Sequence, residues 1–146
     1  MRVRGFTLPE LLIVLTIAAT LLAVGWQGVR AFREASALQA SARRASAQLS
    51  LARRLAVNRR ETIRLRTLDG DLALIGDDGR TLVRVAIGGP DGLAVDSVDV
   101  RPSTLRFNDR GQAAPGSVYL YRGRRSIRIV CNFLGRLRIE GVEWTA

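Results

Sequence analysis

The chain has 146 residues, and its 23 basic side chains are all Arg, which set against 13 acids gives a formal net charge of +10. Because Lys and His are absent, imidazole bases, imidazole metal ligation and lysine Schiff-base chemistry are excluded, and we expect neither enzymatic activity nor a cofactor. A single cysteine, Cys131, excludes an intrachain disulfide. Its place at the end of an apolar alternation predicts core packing, with an intermolecular disulfide as the alternative.

The N-terminus combines a short basic leader with a long apolar segment. The 24 residues 6–29 contain one charged side chain, Glu10. In an ordinary cleaved signal, an apolar run of roughly 7–15 residues precedes the cleavage site. Here the plausible cleavage point, between Gly5 and Phe6, precedes the apolar run, so cleavage would leave that run on the mature protein. About 20 apolar residues span roughly 30 Å, the thickness of a bilayer core, which predicts a membrane anchor.

The segment GFTLPELLIV, residues 5–14, resembles the processing site of type IV pilins and their relatives. The resemblance implies that a prepilin peptidase cleaves between Gly5 and Phe6 and that the new N-terminus is methylated. It also implies that Glu10 faces the N-terminal amine of a neighbouring pilin subunit during assembly, which would explain an ionisable group in a membrane span. The implied localisation is the inner membrane, with a periplasmic domain that is later assembled into an extracellular pilus.

Residues 26 to about 60 are predicted to continue the apolar segment as a helix. Small and apolar side chains recur there at spacings of three and four, as in a helix that packs on a sheet. This stripe consists of Ala35, Leu38, Ala42, Ala45, Leu49, Ala52 and Ala56. The implied organisation is a leader (1–5), a transmembrane or filament-core helix (6–29) and one globular domain (30–146).

Short β-strand patterns occupy the rest of the chain. The candidates are residues 62–68, 72–75, 81–87, 93–100, 104–108, 118–122, 126–131 and 136–140. A long helix followed by strands predicts an α+β fold, with the helix packed on antiparallel sheet. The acidic groups at 69–71 and 77–79 are interpreted as Asp-Gly turns, with a weak calcium site as the alternative. Residues 109–117, rich in Gly, Ala and Pro, are predicted to form a flexible connection.

Charge is distributed unevenly along the chain. Residues 30–66 hold ten Arg and two acids, and residues 101–139 hold nine Arg and one acid. Between these zones, residues 67–100 hold two Arg and seven Asp. Two basic zones of this kind attract polyanions.

Further stretches of the sequence indicate which group within the type IV pilin family the chain resembles. Residues 105–111, 114–118, 127–131 and 135–138, with the Arg-rich stretch 51–60, are similar to the GspH/FimT group of minor pilins and pseudopilins. Some members of that group lie at the tip of type IV pili, including DNA-binding members used in natural transformation. Others are minor pseudopilins of type II secretion. The resemblance therefore implies a pilin fold and leaves two functions open.

The motif GRLR, residues 135–138, resembles the basic C-terminal motif of the DNA-binding members. Alternation along a strand places Arg136 and Arg138 on one face. Arg128, on the preceding strand, shares that face only if residue 130 pairs with residue 138. A one-residue slip would reverse every side chain, so we predict an odd-length connection or a bulge around residues 133–135.

With Arg124 and Arg125 in the preceding turn, these arginines form the predicted DNA-binding site. Contact would be to phosphates and largely independent of base sequence. Tyr119 and Tyr121 are interpreted as core and surface residues of one strand, which argues against base stacking. The chain is thus predicted to be a minor type IV pilin at or near the pilus tip that binds extracellular DNA for uptake in natural transformation. The alternatives are a type II secretion pseudopilin, an ordinary filament subunit, and arginines that only pair with a neighbouring subunit or maintain solubility.

Overall fold

The computed structural model describes residues 7–88 and 92–144. The N-terminal part of the described chain is one uninterrupted helix. Helix α1 (Leu8–Arg59) continues through Gly25 and Gly28, and the predicted continuation of the apolar segment as a helix to about residue 60 is confirmed. An 18-residue window near its start has a mean hydropathy of 2.2 and is not buried, so α1 has the length and composition to cross a membrane. The predicted processing residues Gly5 and Phe6 lie outside the described residues.

The chain divides into two compact units, one ending at Glu34 and the other beginning at Ala35. The second unit contains the rest of α1 and, among the described residues, eight strands. These are β1 (Ile63–Leu68), β2 (Asp71–Ile75), β3 (Thr81–Val85), β4 (Ser97–Arg101), β5 (Leu105–Phe107), β6 (Gly116–Arg122), β7 (Arg125–Cys131) and β8 (Leu137–Trp144). They form two antiparallel sheets with the orders β3-β2-β1-β5 and β4-β6-β7-β8. The α+β prediction is therefore confirmed.

The apolar stripe of α1 forms one wall of the core. Its side chains from Leu38 to Ala56 are fully buried, and Ala35 is half-buried. They belong to one buried cluster with the inner faces of both sheets. Cys131 is 1% exposed in that cluster, and its burial raises the pKa of the thiol. The predictions of a helix packed on sheet and of a core cysteine are confirmed.

Two predicted strands, residues 81–87 and 93–100, each lose two or more residues at one end in the structure. β3 ends at Val85, and Ile87 instead makes an isolated bridge to Leu93, which precedes β4. The reason is that the Ile87 amide donates to Asp71 Oδ1 at 2.9 Å, which removes this donor from the ladder of the sheet.

The predicted flexible connection at residues 109–117 is wrong, because hydrogen bonds fix most of it. The Asn108 amide donates to the Gln112 carbonyl at 2.9 Å. The Ala113 amide donates to the Phe133 carbonyl at 3.0 Å, and the Ala114 amide to the Arg106 carbonyl at 3.0 Å. The connection thus ties β5 of the first sheet to the β7–β8 hairpin of the second.

Candidate nucleic-acid interface

The β7–β8 hairpin has the register that the sequence required. Val130 pairs with Arg138 and Cys131 with Leu137, and the five residues 132–136 connect the two strands. Asn132 closes the hairpin: its amide donates to the Arg136 carbonyl at 3.0 Å, and its Oδ1 accepts from the Arg136 amide at 2.9 Å. The predicted odd-length connection is confirmed.

Gly135 is required at the start of the GRLR motif for two reasons. Its φ is +69°, a conformation that side chains with a Cβ rarely adopt. A Cβ at this position would also lie 2.6 Å from the Gly111 carbonyl oxygen. That oxygen accepts a hydrogen bond from Arg53 Nε at 2.9 Å, so the hairpin connection is packed against a fixed junction between α1 and the 108–112 turn.

The five predicted arginines do not form one cluster. Arg136 and Arg138 lie at the connection end of the hairpin, exposed and without a side-chain partner among residues 7–88 and 92–144. Arg124 lies in the β6–β7 turn, at the other end of the seven-residue β7. At about 3.3 Å per residue, the two ends of β7 are roughly 20 Å apart. Arg125, also at that end, lies over the Trp144 ring at 4.8 Å.

Arg128 shares the outer face with Arg138 as predicted, but other side chains engage it. Its Nε donates to Ser117 Oγ at 3.1 Å, and its Nη1 lies 3.5 Å from Glu140 Oε2. The register of β8 shifts by one residue opposite Arg128. Arg128 is exposed but engaged by these partners, whereas Arg136 and Arg138 have no side-chain partner among the described residues.

The interpretation of Tyr119 and Tyr121 as core and surface residues is wrong. Residues two apart on a strand share a face, and both rings lie on the outer face of the second sheet. They are stacked, with centroids 6.3 Å apart and planes at 14°. The guanidinium of Arg101 lies 4.9 Å from the Tyr119 centroid and that of Arg128 lies 5.5 Å from it. The outer face of the second sheet thus carries a layer of packed Arg and Tyr side chains that was not predicted from the sequence.

An open groove of about 960 Å³ lies between the C-terminal part of α1 and the hairpin connection. Its lining includes Arg53, Arg54, Gly135 and Arg136. Arg53 is held by the Gly111 carbonyl, whereas Arg54 and Arg136 are exposed and have no partner within the described chain. Arg54, from the Arg-rich helical stretch, is therefore brought beside the C-terminal motif, which spacing in the sequence did not reveal.

The acidic groups form the predicted turns. Asp69 and Gly70, with φ of 51° and 86°, join β1 to β2. Hydrogen bonds from the Ile87 amide and then from Arg84 lower the pKa of Asp71. Within 7–88 and 92–144, no three His, Cys, Asp or Glu side chains come together as metal ligands.

The predicted assembly residue, Glu10, is exposed in the first turn of α1. Its Oε2 accepts a weak hydrogen bond from Thr7 Oγ1 at 3.4 Å. The role of this carboxylate toward a neighbouring subunit stays a prediction.

Two family models match the chain. The family described as type II transport protein GspH matches residues 41–135, and the prokaryotic N-terminal methylation motif matches residues 1–26. No curated protein sequence matches significantly.

Solved structures with the same fold include two minor pilin-like proteins. The type IV minor pilin FimU of Pseudomonas aeruginosa is 21% identical, with a TM-score of 0.56 over 75% of this chain and 92% of that chain. The minor pseudopilin EpsH from the type 2 secretion system of Vibrio cholerae is 14% identical, with a TM-score of 0.52 over 74% of this chain and 97% of that chain. At these identities the likeness shows the fold.

Proposed function

Because the chain belongs to the GspH family of type IV pilin-like proteins, we propose that it is a minor type IV pilin that binds extracellular DNA for natural transformation. The supporting observation is the exposed cationic end of the second unit. There Arg136 and Arg138 project from the β7–β8 hairpin, and Arg136 lines one groove together with Arg54 of α1. None of these three guanidinium groups has a partner among the described residues.

A phosphodiester backbone fits these groups chemically. Arg presents a planar fork of donors that matches phosphate oxygens, and it stays charged at any physiological pH. Hydrogen bonds of Asn132 and the close approach at Gly135 fix the hairpin, so little backbone ordering is needed on binding. The proposed contact is to phosphates and is independent of base sequence.

The N-terminal part supports assembly. We propose that residues 1–5 are a leader removed by a prepilin peptidase, that residues 6–29 hold the protein in the inner membrane, and that residues 30–146 lie in the periplasm. In the assembled pilus, the apolar face of α1 would pack against other pilin subunits. Glu10 would face the methylated N-terminus of a neighbour, since a carboxylate in an apolar environment needs a cationic partner.

The test is binding of the full chain, in a non-ionic detergent, to fluorescent duplex DNA across a salt series. The test variant is Arg136→Gln/Arg138→Gln. The control, Arg43→Gln/Arg80→Gln, removes the same charge from exposed positions outside the hairpin. We expect affinity to fall with salt, and the logarithmic slope to decrease by about 2 in the test variant, since each phosphate contact contributes roughly 0.9.

Absence of binding at low salt would contradict DNA capture. Equal weakening in the test and control variants would show that net charge, and not the hairpin, governs binding.

The second candidate is a minor pseudopilin of type II secretion. The GspH family description and the structural similarity to EpsH favour it. In that case, the exposed arginines would contact an acidic protein surface. Loss of exoprotein secretion on deletion of the gene, with DNA uptake unchanged, would identify this function.

A further inference from the structure

Three arginines that the C-terminal motif does not include converge on the outer face of the first sheet. Arg64 and Arg106 lie directly opposite each other on β1 and β5, and Arg66 follows on the same face of β1. Directly opposite residues have Cβ atoms about 5 Å apart, so two like charges at this position destabilise the sheet. With Thr104, these side chains line a cleft of about 260 Å³.

The carboxylates in the structure do not balance this charge. Arg64 Nη2 donates to Asp77 Oδ1 at 3.0 Å, and Asp77 is itself largely exposed. Arg66 and Arg106 are exposed, and neither has an acceptor within the described part of the chain. Their neighbours Leu65, Leu105 and Phe107 are fully buried, which anchors the strands from which these guanidinium groups project. The strands that form the cleft are therefore anchored, and two of its three arginines, Arg66 and Arg106, have no carboxylate partner in the described residues.

We propose that Arg64, Arg66 and Arg106 form a phosphate-binding site. Two free guanidinium groups, with the Thr104 hydroxyl as a further donor, can surround the oxygens of one phosphate. The bound anion would also relieve the repulsion between the opposed arginines. We name this cleft the sheet-one phosphate site.

Its position indicates which phosphate it binds. Arg106 also lines an adjacent hollow that contains the exposed Phe133. Phe133 lies in the hairpin connection, whose Gly135 and Arg136 line the groove beside Arg54. Cationic sites thus follow one another along one continuous surface, which fits a polymer with regularly repeated negative charges. We infer that this polymer is nucleic acid, an inference that rests on the proposed function, whereas phosphate binding in the cleft does not.

The first measurement is a titration of the labelled full chain, in non-ionic detergent, with inorganic phosphate at constant ionic strength. The arginine Nε–Hε signals are followed by NMR. We expect saturable shifts at Arg66 and Arg106. In Arg66→Gln/Arg106→Gln, the shift of the Leu65 amide should need about tenfold more phosphate, as charge-assisted hydrogen bonds are lost. The control Arg33→Gln/Arg43→Gln, at two exposed positions that neither line nor adjoin the lining of this cleft, should titrate like the native chain.

A variant that keeps both charges distinguishes a specific phosphate site from general electrostatic attraction. Arg66→Lys/Arg106→Lys keeps both charges and loses the planar forks, so we expect binding weaker than native and stronger than in the Gln variant. Linear, non-saturating shifts of the same size at all exposed arginines would overturn the proposal. Saturable binding of polyglutamate without binding of phosphate would also overturn it, in favour of an acidic protein partner.

The second measurement is the salt dependence of duplex DNA binding by Arg66→Gln/Arg106→Gln. We expect the slope to decrease by about 2, as for the hairpin variant. An unchanged slope in a chain that binds DNA would overturn the role of this site in DNA contact. Saturable phosphate binding in a chain that binds no DNA would leave the phosphate site supported and would contradict only the proposed function.

Discussion

At the scale of the residue, Glu10 provides the most direct test of the proposed assembly. It is the single charged side chain of residues 6–29, and in the described chain it has only the 3.4 Å contact with Thr7. We predict that Glu10→Gln leaves the protein in the membrane and removes it from sheared pili, because the cationic partner of a neighbour is no longer attracted. Cell fractionation and immunoblotting measure both. Incorporation at the native level would contradict this role.

Asp71 is the residue whose titration should affect stability. The Ile87 amide, first, and Arg84 hold the pKa of Asp71 below its ordinary value of 3.8. The lower pKa in the folded state means that the ionised carboxylate stabilises the fold at pH values above about 3.9, and that this contribution is lost as pH falls through the folded-state pKa. We predict that Asp71→Asn lowers Tm at pH 7, and that the difference from the native chain disappears in strong acid. Thermal unfolding monitored by circular dichroism at several pH values measures this.

A Tm difference for Asp71→Asn that is the same at pH 7 and in strong acid would contradict an electrostatic origin.

At the scale of the element, the β7–β8 hairpin shows what the sequence could and could not predict. The register followed from alternation together with the assumption that the arginines share one face, which the pairing of residue 130 with residue 138 satisfies. What alternation could not reveal was the engagement of Arg128, which depends on Ser117 of the neighbouring strand β6 and on Glu140 at the shifted register of β8. Arg124 and Arg136, which the predicted site joined, lie at opposite ends of β7, because the seven extended residues of that strand separate them.

Gly135 gives the prediction that belongs to this element. Gly135→Ala combines a positive φ with a contact of 2.6 Å to the Gly111 oxygen. We predict that it lowers the free energy of unfolding by about 1–3 kcal/mol and weakens DNA binding, because Arg136 is displaced. Gly123→Ala is the matched control, since Gly123 has φ +57° with nothing within 4 Å of the added Cβ. Equal effects on DNA binding in the two variants would contradict a specific role for the junction at Gly135.

At the scale of the whole molecule, the periodic patterns of the sequence predicted the fold class and the core. They predicted the arrangement of the charged surface less completely. The helical stripe and the strand alternations have short periods that a sequence displays directly. The surface, by contrast, is assembled from Arg54, Arg106 and Arg136, which belong to three separate segments. Their convergence depends on the 108–114 connection, whose hydrogen bonds join the two sheets and whose composition had suggested flexibility.

The most direct test of the account is natural transformation in the native host after deletion of the gene. Complementation uses the native chain, Arg136→Gln/Arg138→Gln or the control Arg43→Gln/Arg80→Gln, with pilus number and exoprotein secretion measured in parallel. We predict that transformation is lost on deletion, is restored by the native and control chains, and is not restored by the hairpin variant although pili are present. Unchanged transformation, with exoprotein secretion abolished, would contradict DNA capture and identify a secretion pseudopilin.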